Sequence, residues 1–171
     1  MKNFLKHARP FLVSLCVAVV FLAVFFIITA ITGDKEPQPA PDITGVAYDE
    51  TSLYSLSENF GEHGTVLVFV DPMIEEDLLY LAKLMVLDIS GEQVVAVSIS
   101  DQPFAAQKTE IERLAVESVR FVFDTDGEMA KTYGISGSPV TYFIDKNGMI
   151  LDAHLGHINT KTLEKSFAAI A

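Results

Sequence analysis

The sequence predicts an α/β fold, with a mixed central sheet flanked by helices, preceded by one transmembrane helix. Three observations support this class. An apolar run of 21 residues extends from Phe11 to Ile31. After it, β-branched and aromatic runs alternate with stretches in which apolar residues recur every three or four positions. A strand–turn–strand pattern and one more helical stretch follow, and this order is typical of a mixed sheet with helices on both faces.

The apolar run is long enough to cross a bilayer as one helix. Only Ser14 and Thr29 interrupt it with polar side chains. At about 1.5 Å per residue it would span about 31 Å, close to the roughly 30 Å of a hydrocarbon core. A cleaved signal peptide has a shorter apolar stretch and a small-residue cleavage motif, which is not evident before Gly33. We therefore expect an uncleaved signal-anchor over residues 11–32.

Charge is distributed unevenly on the two sides of this run. Lys2, Lys6 and Arg9 precede it, whereas all 23 acidic residues follow it. The positive-inside rule therefore predicts a cytoplasmic basic segment, residues 1–10, and an extracytoplasmic domain on the cell membrane of a bacterium. The excess of acid in that domain argues against nucleic acid as a partner, because phosphate contacts need clustered Lys and Arg.

A proline-rich linker, residues 33–41, is predicted between the anchor and the domain, residues 42–171. Prolines alternate with other residues in it and charges lie nearby, as in extended spacers. Short irregular strands are predicted between residues 43 and 56. The elements predicted after them are strands at 65–70, 93–100, 120–123, 140–144 and 149–154, and helices at 72–89, 103–116, 127–133 and 160–170.

Local patterns justify these elements. The run 65–70 is continuously β-branched or aromatic, as expected for a strand buried on both faces. An acidic triplet, residues 75–77, complements the N-terminal dipole of the first helix. Asn159 is placed to cap the last helix, and Asn147 with Gly148 favours a type I′ hairpin turn between the last two strands.

The first predicted helix is more apolar than a single buried stripe requires. From Leu78 to Ile89 only Lys83 and Asp88 are charged. Burial on two sides would explain this composition, and the second side would be covered either by another part of the domain or by a second protein chain.

Two patterns are similar to metal-binding spacings. His154 and His157 form HxxH, but residues three apart in a strand that leads into a loop are expected to point to opposite faces. Asp124, Asp126 and Glu128 match half of a calcium loop without its other ligands, and helix capping by Asp126 accounts for them. We therefore predict no metal site and no cofactor.

The order of these elements and several short motifs resemble the thioredoxin superfamily, in particular the membrane-anchored TlpA-like redoxins. The most specific motif is YGISGSPVTYFIDKNGMI, residues 133–150. It is similar to that family's stretch of a small residue, a cis-proline, a strand, a charged turn with glycine and a return strand. Residues 39–42 (PAPD), 123–135 (FDTDGEMAKTYGI) and 155–156 (LG) are also similar to family motifs.

The resemblance also indicates where the family's active site would lie. In that family the strand corresponding to 65–70 leads into a Cys-x-x-Cys motif at the start of the next helix. An ungapped alignment puts Ile74 and Asp77 at the two cysteine positions, so the vestigial motif reads Ile74, Glu75, Glu76 and Asp77. No catalytic residue is assigned, because isoleucine has no nucleophile and a carboxylate at a helix N-terminus is a weak base.

Cys16 is the only cysteine, and it lies in the apolar run, where it serves as a small apolar residue. Disulfide exchange, peroxide reduction and cysteine-based copper transfer all need thiols that the predicted domain lacks. The resemblance further implies a protein-docking groove formed by Ser138, Pro139 and Val140, with Pro139 as the cis-proline.

The leading hypothesis is a redox-inactive, membrane-tethered thioredoxin-like domain that keeps the family's groove and binds a protein partner of unknown identity. Ile74 would then give an apolar contact in place of a thiol, and the acidic triplet would favour a basic partner. Two alternatives stay open. One is oxidoreductase or peroxidase activity that uses thiols of a partner, and the other is an accessory subunit of a membrane complex.

Overall fold

The computed structural model describes residues 37–61, 63–86 and 93–170. The predicted anchor and the basic segment before it lie outside these residues. Within the described ranges, no helix combines the length and the apolar character needed to cross a membrane.

The described chain forms one mixed sheet with helices on both faces, as the sequence predicts. Its strands are β1 Gln38–Pro39, β2 Thr44–Ala47, β3 Leu53–Ser55, β4 Thr65–Val70, β5 Gln93–Ser98, β6 Arg120–Phe123, β7 Val140–Ile144 and β8 Met149–Leu155. Its helices are α1 Glu75–Val86, α2 Phe104–Arg113, α3 Glu128–Thr132 and α4 Thr160–Ile170, with a 3-10 turn at Ser57–Asn59. The strand order is β1-β8-β7-β4-β5-β6-β2-β3. Strands β4, β5 and β6 are parallel, and the other neighbouring pairs are antiparallel.

Alternate side chains of β4 pack into two separate parts of the core. Val66, Val68 and Val70 pack with residues of α1, α2 and α4. Leu67 and Phe69 point the other way and pack with residues of α3 and of the N-terminal strands. Every side chain of β4 is buried, so the predicted strand buried on both faces is confirmed. Each large apolar side chain buried in this way contributes about 1.5–3 kcal/mol to stability.

Strand β1 lies in the segment that the sequence assigns to the linker. Gln38 pairs with Ile150 of β8, and the Ala40 amide donates to the Gly148 carbonyl at 2.8 Å. The compact unit accordingly begins at Pro37 rather than at residue 42. The alternating prolines are compatible with this pairing, because a proline at every second position has its nitrogen on the side away from β8.

The turn between β7 and β8 is not the predicted type I′ turn. That turn needs a positive φ at both central residues, and here Gly148 has a φ of 77° whereas Asn147 is not among the residues with positive φ. The Asp145 carboxylate accepts hydrogen bonds from the Asn147 amide at 2.9 Å and the Met149 amide at 2.8 Å. The prediction was wrong because the side chain of Asp145 stabilises a different turn.

Asp124, rather than Asp126 alone, caps α3. The Asp124 carboxylate accepts from the amides of Met129 at 3.1 Å and Ala130 at 2.7 Å, while Asp126 accepts from the Glu128 amide at 3.1 Å. Asp124 is buried at the end of β6, so it joins the strand to the helix that follows. Local capping patterns do not indicate Asp124, because it lies five residues before Met129, from whose amide it accepts a hydrogen bond.

The start of α4 agrees with the sequence prediction, whereas the end of α2 differs from it. Asn159 caps α4, since its side-chain oxygen accepts from the Thr162 amide at 3.0 Å. Helix α2 ends at Arg113, earlier than predicted, because Ala115 adopts a positive φ of 53°. Ala115 lies beyond the end of that helix and is exposed.

Candidate protein-docking site

The predicted site residues lie where β4 and β7 meet one edge of the sheet. These strands are antiparallel neighbours, and Phe69 near the end of β4 pairs with Val140 at the start of β7. The loop that carries Ile74 and the loop that carries Pro139 therefore leave the sheet side by side. The structure places the vestigial motif and the groove residues at the same edge.

Two carboxylates organise the loop between β4 and α1. The Asp71 amide donates to Oδ2 of Asp77 at 2.9 Å, and the Met73 amide donates to Oδ1 of Asp71 at 2.9 Å. The Ile74 amide donates to the Asp71 carbonyl at 2.9 Å. Asp77, at the second cysteine position, is only 2% exposed. Its role in the structure is to accept a hydrogen bond that closes the loop.

Ile74, at the first cysteine position, is part of an exposed apolar spot with an acidic border. Ile74 is 41% exposed, and the side chain of Met73 before it is exposed as well. Glu75 and Glu76 follow on the surface, and Glu75 pairs with Arg113 at 2.8 Å. The arrangement offers an apolar contact bordered by negative charge.

The loop before β7 presents backbone groups. The Ser138–Pro139 peptide bond is cis, and the Pro139 carbonyl accepts from the Gly156 amide at 2.7 Å. In the part of the chain that the structure describes, Ser136, Gly137 and Ser138 make no backbone hydrogen bond. Exposed and unpaired backbone of this kind can pair with an extended segment of another chain.

Three aromatic side chains support this loop from below. The Phe69 and Tyr133 rings are 5.1 Å apart, and the hydroxyl of Tyr142 donates to the Tyr133 carbonyl at 3.1 Å. The Tyr133 hydroxyl donates to the Pro41 carbonyl at 2.7 Å, which ties the start of the domain to the site. Burial raises the pKa of both tyrosines, so both stay neutral hydrogen-bond donors at physiological pH. This support is not evident from the sequence pattern, although both tyrosines lie within the motif at residues 133–150 and flank Ser138, Pro139 and Val140.

A family model described as Redoxin matches residues 35–170. The chain belongs to the redoxin family. No curated protein matches it.

Solved structures similar to this redoxin include a DsbE-type thiol:disulfide interchange protein from Chlorobium tepidum, with 22% identity and a TM-score of 0.67, covering 80% of this chain and 97% of that one. A thiol-disulfide oxidoreductase from Bacteroides fragilis has 21% identity and a TM-score of 0.66, covering 78% and 100%. A peroxiredoxin-like protein from Aquifex aeolicus has 18% identity and a TM-score of 0.63, covering 79% and 86%. These likenesses show a thioredoxin-like fold, and together with the match to the family model they confirm the predicted superfamily.

The two histidines of the redoxin's HxxH pattern lie on the same side of the sheet, so the predicted opposite orientation was wrong. The His157 ring stacks on Tyr80 of α1 at 5.3 Å. The Tyr80 hydroxyl lies 3.0 Å from Oγ1 of Thr141, which is the cross-strand partner of His154. Among the residues that the structure describes, no group of three or more His, Cys, Asp or Glu side chains is placed to hold a metal.

Helix α1 of this redoxin is covered on one side only, as far as the described residues show. Leu78 and Leu81 are fully buried, whereas Leu79 and Val86 are exposed. Residue Ile89, the last apolar position of the predicted helix, lies outside the described residues. The exposed side of α1 is the second apolar surface near the docking site.

Proposed function

We propose that this redoxin is a membrane-tethered, extracytoplasmic domain that binds a protein partner and performs no thiol chemistry of its own. The observation that carries the proposal is the exposed Ile74 at the position of an attacking thiol, beside residues 136–138, whose backbone makes no backbone hydrogen bond to the described part of the chain. Neither residue 74 nor residue 77 supplies a sulfur atom. The arrangement suits recognition rather than thiol–disulfide exchange.

An extended segment of the partner would bind by adding main-chain hydrogen bonds to the free loop. Such pairing provides affinity through the backbone and specificity through side-chain contacts, and neither contribution needs sulfur. Burying the exposed part of Ile74 under that segment would add apolar contact at the centre of the site, where contacts excluded from water contribute most.

The border of the site favours a basic segment. Glu75 and Glu76 are exposed next to Ile74, and Asp71 lies at the base of the same loop. Only Glu75 of this group has a cation within ion-pair distance in the described structure. Complementary positive charge on the partner would speed association, and added salt would weaken binding by screening the exposed carboxylates.

Ile74→Arg is expected to reduce recovery of the native partner from membranes at least about tenfold, which corresponds to a loss of about 1.4 kcal/mol. The substitution places a long charged side chain at the centre of the apolar contact. Tagged full-length chains would be captured from mild detergent extracts and the bound proteins quantified by mass spectrometry. Leu53→Arg is the matched control, because Leu53 is 72% exposed on β3, at the far edge of the sheet.

Recovery should be unchanged with Leu53→Arg. Equal recovery with wild type and a folded Ile74→Arg chain would contradict the proposed docking site. The binding surface would then lie elsewhere, most simply on the exposed side of α1.

The proposed tether consists of the cytoplasmic segment 1–10, the anchor 11–32 and the spacer that follows. This proposal is supported by the 21-residue apolar run, which has basic residues before it and acidic residues after it. A reporter enzyme that folds only outside the cytoplasm, fused after Ala171, should be active. The same fusion lacking residues 1–32 should be inactive, and activity of a cytoplasm-only reporter at the same position would contradict the orientation.

A further inference from the structure

Strand β8 is longer than the strand that covers it. β1 pairs only with Met149 and Ile150, at the beginning of β8. Residues 152–155 pair with β7 on one side, and Leu151 is the extra residue at a register shift between Phe143 and Ile144. On the other side the described residues provide no strand. Such an open edge presents unpaired backbone groups to any strand of matching shape.

The backbone of Ala153 points toward this open side. The Gly156 amide donates to the Pro139 carbonyl, which makes Val140 and Leu155 a non-hydrogen-bonded pair. His154 therefore forms its ladder hydrogen bonds with β7, and the N–H and C=O of Ala153 face away from β7. The Ala153 amide donates to Oδ1 of Asp152 at 2.9 Å, as expected for an amide without a strand partner.

The side chains along the open edge are of two kinds. Leu151 and Leu155 project from one face, and Leu155 is 78% exposed. Asp152 and His154 project from the other face, with Oδ2 of Asp152 2.9 Å from Nε2 of His154. The Ser166 hydroxyl of α4 also donates to Oδ2 of Asp152, at 2.8 Å. Nε2 of His154 thus donates to Asp152 of the same chain.

We propose that this edge pairs with the same edge of a second copy of the chain. The two β8 strands would run antiparallel about a twofold axis at Ala153, joining two sheets into one. In this register Ala153 faces Ala153 of the second copy, with their outward amides and carbonyls exchanging hydrogen bonds. Leu151 faces Leu155 of the second copy, and Asp152 faces His154 of the second copy.

The sequence of residues 151–155 favours a second copy of the chain as the strand that pairs with this edge. The segment reads apolar, acidic, small, basic, apolar, so its two halves complement each other when a second copy is reversed, as a twofold interface requires. A twofold axis at Asp152 would place two carboxylates opposite each other, which is unfavourable, and an axis at His154 would leave neither histidine opposite a carboxylate. A shift of one residue would join opposite faces of the two sheets.

Cross-linking in native membranes tests the register. In a full-length Cys16→Ala background, Ala153→Cys should form a disulfide-linked dimer under a mild oxidant. Directly opposed residues in a hydrogen-bonded antiparallel pair have Cα atoms about 5.5 Å apart, within the range that a disulfide bridges. Leu151→Cys is the matched control on the same strand, because two copies of residue 151 would be separated by about 13 Å along the strands.

Leu151→Cys alone should give little dimer, but Leu151→Cys and Leu155→Cys chains expressed together should form a mixed one. Failure of Ala153→Cys to cross-link, or equal cross-linking by Leu151→Cys alone, would overturn the proposal. The first result would indicate that a different strand, from this chain or from another protein, occupies the edge. The second would indicate random collision of mobile chains.

A second measurement does not depend on introduced cysteines. Leu155→Lys should raise the dissociation constant of the detergent-solubilised dimer at least about tenfold, because it removes the two opposed leucine contacts. Sedimentation velocity would measure this constant, and circular dichroism would check that the fold is unchanged. A dissociation constant equal to that of wild type, or a wild-type chain that stays monomeric at every concentration, would overturn the proposal.

Discussion

Cysteines introduced together at positions 74 and 77 are expected to raise the thiol–disulfide exchange activity of this redoxin above that of the natural chain, which has no sulfur atom at either position. Position 74 is 41% exposed at the start of α1, where a disulfide substrate could reach an attacking sulfur. Position 77 is 2% exposed, so a second sulfur there would be shielded and close enough to resolve a mixed disulfide. The N-terminal end of α1 would stabilise the thiolate and lower the pKa of the attacking thiol.

Reduction of insulin disulfides by the full-length chain in detergent, with Cys16→Ala as the background, measures this effect. The double variant should exceed the background rate by at least about tenfold, because a thiolate at a helix N-terminus is the attacking species in exchange. Ile74→Cys alone is the matched control, since it can form a mixed disulfide with substrate but has no second thiol to release it. A folded double variant without activity would mean either that the groove no longer accepts a disulfide substrate or that the loop carrying position 74 needs the Asp77 acceptor, which the second cysteine removes. Mixed-disulfide formation by Ile74→Cys, which keeps Asp77, separates these two outcomes.

The same assay also examines the natural sequence. Wild-type turnover above background would contradict the proposal that the domain performs no thiol chemistry. Activity in the double variant with none in wild type would show that the missing sulfur atoms, rather than an altered fold, separate this redoxin from thiol–disulfide exchange.

The central part of the fold could be predicted from the sequence because its signals are local. Strands β4, β6 and β7 have the predicted bounds, since each is an apolar or β-branched run bounded by turn residues. Helix α4 also has its predicted bounds, because Asn159 marks its start and caps it in the structure. These elements need little information from distant parts of the chain.

Other features depend on contacts between distant residues. Strand β1 exists because Gln38 pairs with Ile150, more than a hundred positions later, and no local pattern indicates that pairing. The side chain of Asp145 accepts two backbone amides and replaces the turn that Asn147 and Gly148 favour in isolation. Local propensity is a weak guide wherever a side chain can supply a competing hydrogen bond.

The site also has features that the sequence indicates and features that depend on contacts between distant residues. The resemblance to redoxins located Ile74 and Asp77, but nothing in the sequence indicated that Asp77 is buried or that it accepts a hydrogen bond from the Asp71 amide. The position of that amide depends on the path of the whole loop. From the sequence Asp77 is only a charge near a helix end, whereas in the structure it accepts the hydrogen bond that closes the loop carrying Ile74.

Asp77→Leu is accordingly expected to lower the free energy of unfolding by about 2 kcal/mol, the usual cost of leaving a buried or partly buried amide without its acceptor. Leucine has the same branched heavy-atom skeleton as aspartate and leaves no cavity, so loss of the hydrogen bond would dominate. Urea denaturation of the full-length chain in detergent, followed by far-ultraviolet circular dichroism, measures this change. Recovery of the native partner should fall as well, because the loop that presents Ile74 would lose the contact that closes it.

Asp77→Asn separates the hydrogen bond from the charge. The amide oxygen of asparagine can still accept from the Asp71 amide, so this variant should keep most of the stability and most of the partner recovery. Equal destabilisation by Asp77→Asn and Asp77→Leu would show that the negative charge near the N-terminus of α1 matters more than the acceptor. Unchanged stability in both variants would mean that the Asp71–Asp77 hydrogen bond does not hold the loop. The presentation of Ile74 would then depend on the packing of Met73 and Ile74 themselves.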